Sequence, residues 1–357
     1  MRERAGAFAH RTCRSAFRAC KTDGARMTTR VALIMPMLNE AANLPETLAS
    51  IGRQTIDKGR LLFIAVDGDS SDGSRDLVRE WLRSSGIDGE VIVNPRRRIP
   101  ISLNIGARRA GPDALILRLD AHTTYGSTYV EDVVRAFDEA PETVGNVGCA
   151  QIPAPTPDFQ ETVVGELLTH PLGLGRLVVR NLKAPTVVQT VYLGSWRPGL
   201  LFELGGFDER WIANEDSELE ARLRASGRTL LIIPSDNLYK VNRGIVGTIR
   251  QWGGYGFWRA QTSRRFPHEL RPRHFIAAAL LLLGVALLFT PWRWLDALAY
   301  LGYAGAVFAL RDKRRSLLVA LACAVTFPLF QIAWTAGFLR GLLFTPPRFE
   351  PALVRDA

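Results

Sequence analysis

An apolar run beginning at Ala114 and broken only by Arg118 stops on Asp120-Ala121-His122. A carboxylate and an imidazole two residues apart, at the end of a buried strand, can hold a divalent cation or face the phosphates around one. A second acidic block, Asp67-Gly68-Asp69-Ser70-Ser71-Asp72-Gly73-Ser74, closes another apolar run over 61–66. A third, Asn214-Glu215-Asp216, opens an amphipathic stretch with Leu219 and Leu223 on one face. Acids at these places suit a ligand accompanied by a hard cation. Such a cation would act as a Lewis acid, and a positioned carboxylate could take a proton. Arg96, Arg97 and Arg98 either assist an anionic ligand or form a solvated face. Plain structural readings compete at each place: an Asp can simply end a strand, and acids at a helix start favour its dipole.

The elements that carry these residues repeat a simple rhythm. A strand over 31–35 ends at Pro36-Met37-Leu38-Asn39-Glu40, and a helix starts near Leu44, with Asn43 and Glu46 at capping-box spacing. The strand over 61–66 precedes a helix over 75–83. A third strand, 90–93, leads to the arginine run, and Pro100 opens a helix holding Asn104 and Gly106. Strand and helix alternate every 30 residues or so, which predicts a parallel sheet covered on both faces. In such sheets ligands collect beyond the carboxyl ends of the strands. Asp67 and Asp120 both fall there. A helix near 160–169 and strands over 187–193 and 229–233 are expected in the less regular middle section.

The chain has 357 residues and a formal net charge of +10. The first 26 residues hold seven Arg or Lys against two acids. Residues 1–28 lack an apolar core for a signal peptide and read as a basic, disordered extension, with Met27 as the true start. A second basic set, Arg259, Arg264, Arg265, Arg271 and Arg273, precedes the apolar tail. Such clustering suits an anionic membrane surface. With no zinc-finger spacing and no aromatic-rich RNA motif, no nucleic-acid partner is expected. Cys13, Cys20, Cys149 and Cys323 match neither a disulfide framework nor a zinc site, which implies a reducing compartment. Residues 244–272 mix aromatics, Arg and Gly and read as an amphipathic interfacial segment. Apolar blocks at 275–290, 295–310 and 317–339 read as membrane helices within 273–345, followed by a tail over 346–357. At about 1.5 Å per residue the first two reach roughly 24 Å, short of a hydrocarbon core of about 30 Å. A buried helical hairpin is the competing reading. If the blocks span, the positive-inside rule puts 311–315, and residues 1–274 with it, in the cytoplasm.

The motifs Pro36-Met37-Leu38-Asn39-Glu40, Asp67 to Ser74, Asp120-Ala121-His122 and Asn214-Glu215-Asp216 occur in the order found in family 2 glycosyltransferases. Over about residues 30–260 the chain resembles the succinoglycan-type exopolysaccharide members of that family, which also carry C-terminal membrane segments. The resemblance implies an α/β GT-A fold over 29–243 and an inverting mechanism. It implies that Pro36, Asn39 and Glu40 line the nucleotide pocket and that Asp67 contacts the base. Arg98 joins them on the nucleotide-sugar. Asp120 and His122 match the metal motif Asp-x-Asp, and Asp216 matches the catalytic base. Glu215, Gln251, Trp252 and Arg259 are expected at the acceptor or the membrane interface. The last three stand where processive members carry Gln-x-x-Arg-Trp, but their spacing differs, so processive synthesis is not expected. The implied cofactor is Mg²⁺ or Mn²⁺. His122 in place of a second Asp mildly favours manganese, and one carboxylate can suffice for magnesium.

The implied donor is a nucleotide-sugar, UDP-linked, delivering a hexose, glucose first. The acceptor is a lipid-linked saccharide at the cytoplasmic membrane, with polyprenyl phosphate itself as a near variant. A different class is a non-catalytic nucleotide-sugar-binding subunit of a polysaccharide assembly complex. The presence of both Asp120 and Asp216 speaks against it. A Ser-His-Asp order, a Walker lysine loop and a Gly-x-Gly-x-x-Gly turn are all missing, which disfavours hydrolase, NTPase and dinucleotide readings.

Overall fold

The computed structural model describes residues 29–170, 172, 182–270, 272–312 and 315–345. The expectations for 1–28 and 346–357 lie outside the described residues. In chain order the elements are β1 (Val31–Met37), α1 (Leu44–Gly52), β2 (Leu61–Asp67), α2 (Ser74–Ser85), β3 (Asp88–Val93), α3 (Ile99–Ala110), β4 (Leu115–Arg118), β5 (Thr123–Thr124), α4 (Tyr129–Glu139) and β6 (Val144–Cys149). There follow α5 (Phe159–Thr169), β7 (Thr186–Val188), β8 (Tyr192–Trp196), α6 (Leu200–Glu203), α7 (Glu215–Ala225), β9 (Thr229–Ile232) and β10 (Leu238–Tyr239). The last are α8 (Ile245–Arg265), α9 (Pro272–Leu287), α10 (Trp294–Ala309) and α11 (Leu317–Leu343).

The chain forms two compact units that interleave along the sequence. Unit 1 runs to Ala150 and takes in Arg180–Phe207 and Arg222–Asn237. Its eight-stranded sheet has the order β3-β2-β1-β4-β8-β6-β9-β7. The pairs β1/β2, β1/β4, β2/β3 and β6/β9 are parallel, as the strand–helix rhythm demands. β8 enters antiparallel to both β4 and β6, which makes the sheet mixed. The expected single strand over 187–193 is two strands, β7 and β8, separated by 189–191. β2 is buried along its whole length, so it reads as a continuous apolar run rather than an alternation. One face of the sheet packs Leu33, Phe63 and Leu117 with Val133 and Phe137 of α4. In α3, Pro100 sits in the first turn, where its missing N–H costs nothing. Asn104 of the same helix pins the turn at Phe207, accepting from Phe207 N–H at 2.8 Å and donating to its carbonyl at 2.9 Å.

Two strand directions leave β1 at its carboxyl end. β2 and β3 lie on one side and β4 on the other, so the strand order reverses between β1 and β4. β1 stays paired with β2 as far as Met37 and Asp67, but with β4 only as far as Ile34 and Arg118. The chains part beyond that pair, opening the crevice where doubly wound sheets bind ligands.

Unit 2 takes Gln151–Val179, Asp208–Ala221 and the chain from Leu238. It is helical. Segment 244–272, read from sequence as interfacial, is mostly the single helix α8, and much of that helix is buried. Trp252 meets Phe330 of α11 edge-on at 5.4 Å within a core shared with Val163, Leu167, Val307 and Phe327. α8 and α11 approach so closely that a Cβ on Gly256 would fall on the Trp334 carbonyl, and one on Gly337 on the Gly253 carbonyl. Of the three apolar blocks, α11 alone among the described helices is long and apolar enough to cross a membrane. It runs through Pro328 without a break.

Candidate active site

The crevice of unit 1 is built from the loops after β1, β2, β3 and β4. The first two are tied together by side chains that cap each other's backbone. Asn39 N–H donates to Ser70 Oγ at 2.8 Å, and Ser71 N–H donates to Asn39 Oδ1 at 3.0 Å. Glu40 N–H donates to Ser74 Oγ and Ala41 N–H to Asp72 Oδ2, at 2.8 and 2.9 Å. This explains the run of Asp and Ser in the block at 67–74: short polar side chains satisfy backbone groups that no ladder reaches. Asn39, Asp69 and Arg97 adopt left-handed backbone, with φ of 54°, 62° and 55°. Strain of this kind in non-glycine residues collects at ligand sites. The expected capping box does not form. Asn43 makes no cap bond and instead donates to Glu40 Oε2 at 2.7 Å.

Asp67, expected to meet a nucleotide base, is fully buried. Its carboxylate accepts from Arg75 Nε at 2.9 Å, pairs with Arg75 Nη2 at 2.8 Å and accepts from Ser70 N–H. In this state it holds Arg75 rather than offering an oxygen to a ligand. Asp69 bridges Arg75 and Arg97, and those guanidiniums, Arg97 foremost, hold its carboxyl below the usual range. Of the arginine run, Arg97 thus reaches Asp69, while Arg98 stands at the N-cap of α3. Pro36 lies past the last β1/β4 pair, at the mouth of the crevice.

Asp120 and His122 follow β4. Burial pushes the Asp120 carboxyl up, but the Arg118 guanidinium, His122 and the Tyr192 hydroxyl together hold it below the ordinary value. Arg118 Nε donates to Asp120 Oδ1 at 3.2 Å. The backbone is fixed as well: Asp120 N–H donates to Tyr125 Oη at 2.7 Å, and that hydroxyl donates back to the Asp120 carbonyl. His122 Nδ1 lies 3.0 Å from Glu40 Oε1, joining the loop after β4 to the loop after β1. One carboxylate and one imidazole fit a cation that draws its other ligands from a diphosphate. Among the described residues, no group of three or more His, Cys, Asp or Glu is arranged to hold a metal by itself.

Asp216 belongs to unit 2, in the first turn of α7. Its Oδ1 accepts from Ser217 N–H at 2.6 Å, and the side chain is partly exposed, whereas Glu215 is buried. Asn214, left-handed at φ 56°, donates to the Tyr255 carbonyl at 2.8 Å. Arg259 donates to Ser217 Oγ at 3.1 Å, and Gln251 to Tyr255 Oη at 2.9 Å. α8 therefore brings Gln251, Tyr255 and Arg259 to the start of α7. The Tyr255 hydroxyl is pushed up by burial first, then by Tyr239, Asp216 and Glu215. Trp252 points elsewhere, into the core of unit 2, so it is a packing residue and not an acceptor contact.

Sequence reasoning passed over Arg75, Tyr192, Tyr255 and the pairing of Arg118 with Asp120. Arg118 carried a signal, as the lone charge in an apolar strand. Tyr192 carried none, because its strand runs against the rhythm that located the others.

Residues 32–171 match the model of glycosyl transferase family 2. The chain is 28% identical over 335 residues to succinoglycan biosynthesis protein ExoA of Rhizobium meliloti (strain 1021), a match covering 88% of this chain and 96% of that one. In fold it is similar to the mannosyltransferase PcManGT from Pyrobaculum calidifontis, a structure in complex with GDP-Man and Mn²⁺. The TM-score is 0.56 at 22% identity, with 92% of this chain and 93% of that chain covered. With a mostly parallel sheet reversing its order at an acidic crevice, the chain has a GT-A fold, matches glycosyl transferase family 2 over residues 32–171 and is a glycosyltransferase.

Proposed function

We propose that the protein is a membrane-attached, inverting glycosyltransferase that moves a hexose, glucose first, from a UDP-sugar to a lipid-linked acceptor during exopolysaccharide or related cell-surface glycan assembly. The observation that carries this reading is the crevice between β1 and β4, walled by Asp120, His122 and Glu40. The biosynthetic setting follows the name of the relative that matches over nearly the whole chain. Asp120 and His122 would hold a divalent cation, manganese better than magnesium, which stabilises the departing diphosphate as a Lewis acid. Arg97 and Arg98 stand at the same mouth and can exchange internal partners for phosphate oxygens. Arg75 is steadied by Asp67 and shapes the floor under the nucleotide. Asp216 takes the proton of the acceptor hydroxyl, and Arg259, Gln251 and Glu215 orient the acceptor.

The membrane part of the reading rests on α11 and on what surrounds it. Its 27 residues reach roughly 40 Å at about 1.5 Å each, enough for a hydrocarbon core of about 30 Å. Leu280, Leu283, Phe289, Leu298, Leu301, Leu318 and Val325 are all exposed. Apolar surface on this scale suits lipid rather than water. The basic loop that starts at Arg311 would lie in the cytoplasm by the positive-inside rule, with the catalytic domain on the same side.

The test is a donor screen. The full chain in membranes is given a panel of nucleotide-sugars with a lipid extract as acceptor, and release of nucleoside diphosphate is followed. Release that depends on acceptor and Mn²⁺ is expected for one UDP-hexose. Asp216→Asn should cut turnover by at least about 100-fold while leaving donor binding close to wild type. Full turnover in that variant removes the base assignment, and no release with any donor removes the reading.

A further inference from the structure

Glu40 is held more firmly than a pocket-lining side chain requires. Its N–H donates to Ser74 Oγ at 2.8 Å, its carbonyl accepts from the N–H groups of Asn43 and Leu44 at 2.8 and 3.0 Å, and its Oε2 accepts from Asn43 Nδ2 at 2.7 Å. With one carboxylate oxygen occupied by Asn43, the other stands 3.0 Å from His122 Nδ1. Glu40 and His122 are both largely buried, with side chains 14% and 19% exposed, so water does not scramble the pair. An ionised carboxylate only accepts hydrogen bonds. Nδ1 must then be the donor, and in a neutral imidazole the lone pair is left on Nε2.

We infer that Glu40 is a positioning residue acting through His122. It fixes the ring's orientation and its Nδ1–H tautomer, so that Nε2 is the nitrogen offered to a divalent cation beside Asp120. Carboxylates behind metal-bound histidines work in this way, and removing one costs about 10–100-fold in metal affinity. The role differs from the nucleotide contact that the sequence motif suggests for Glu40. It explains why the loop after β1 is braced by Asn43, Ser74 and Asp72: the brace sets the position of a carboxylate, which sets the imidazole. The inference rests on the cation reading proposed above.

Two measurements test it on the full chain. The chain has five histidines, so nitrogen-15 labelling of histidine with His122→Ala as the assignment control resolves the ring of interest. Wild type should show His122 as the Nδ1–H tautomer without added metal or substrate, and Glu40→Ala should move it toward Nε2–H. Free Mn²⁺, followed by electron paramagnetic resonance with UDP or GDP present, should show affinity lowered about 10–100-fold in Glu40→Ala. Glu40→Gln, whose amide oxygen still accepts, should keep the tautomer and lose less. An Nε2–H ring in wild type overturns the inference, and that observation decides alone should Glu40→Ala fail to fold. Wild-type Mn²⁺ affinity in a folded Glu40→Ala overturns it too, while leaving the cation reading intact. A wild type that binds no Mn²⁺ with either nucleotide removes the cation reading, and the inference falls with it.

Discussion

In unit 1 the apolar side chains of the strands are sealed away: Leu33, Phe63, Ile64 and Leu117 show essentially no surface. In unit 2 the same kinds of side chain on α9, α10 and α11 and between them stand outside, Leu301 of α10 at 66% and Phe289, just past α9, at 87% exposed. The polar residues show a matching contrast. Unit 1 braces its crevice with carboxylates and hydroxyls that cap loop backbone. Unit 2 joins α8 to α11 by removing side chains altogether, at Gly253, Gly256, Gly337 and Gly341. Glycine at a close helix crossing is how packing proceeds where apolar burial supplies little drive, as in lipid. The contrast teaches that hydrophobicity alone does not say which way a residue faces. On the membrane reading proposed above, the solvent around each unit does.

The largest expected effect breaks the glycine crossing. Gly337→Leu puts a side chain where the Gly253 carbonyl lies, and a backbone atom cannot step aside as a flexible side chain can. Overpacking costs about 1–3 kcal/mol in ordinary cores and more when the obstacle is rigid. We expect about 3 kcal/mol or more, seen as loss of folded protein in detergent. A variant as stable as wild type would mean that α8 and α11 are not packed this tightly.

The next prediction sharpens the solvent contrast. Leu301 on α10 and Leu77 on α2 are both exposed, at 66% and 40%. Leu77→Lys should change stability by no more than about 0.5 kcal/mol, as exposed sites in water usually do. Leu301→Lys should cost about 2.5 kcal/mol or more if lipid surrounds that helix. Membrane partitioning and thermal unfolding of the two variants, side by side, check it. Equal behaviour would place α10 in water.

How much of this was readable in the residues follows the same division. The parallel half of the sheet announced itself, because βαβ units repeat an apolar strand, a turn and an amphipathic helix within a short span. Asp120 and His122 were legible because a strand end in such a sheet is a known address for ligands. The antiparallel β8 was not, since 189–191 interrupt an apolar stretch without any Gly or Pro to mark the break. Asp67 was legible as an acid but not as a buried one: its partner Arg75 lies eight residues on, and only the folded loop brings the guanidinium back. In unit 2 the aromatic and glycine mixture of α8 fits an interfacial helix and a tightly packed one equally well. The close crossing was not readable within α8 alone, because its partner glycines, Gly337 and Gly341, lie some eighty residues away.

The smallest expected effect compares one acid from each unit. Asp208 in unit 2 is 12% exposed, and although burial pushes its carboxyl up, Arg210 and Arg265 hold it below the ordinary value. Asp69 in unit 1 is also held low, by Arg97 and Arg75, but its side chain is half exposed. For a carboxyl depressed in the folded state, the unfolded chain binds more protons as the solution turns acidic. The stabilisation is therefore complete above the unfolded value of about 3.9 and is lost as pH falls through the lower, folded one. Neither acid should make stability vary between pH 6 and 8. Below about pH 5, wild type should take up protons on unfolding, and Asp208→Asn should reduce that uptake. Asp69→Asn should reduce it less, because water and salt screen an exposed ion pair. Unfolding of the three proteins across pH 3–7, at low salt and at about 0.15 M salt, separates the two. If Asp69→Asn proved the stronger at both salts, the crevice of unit 1 would be drier than its exposure indicates, and Asp69 would be part of its buried frame rather than of its rim.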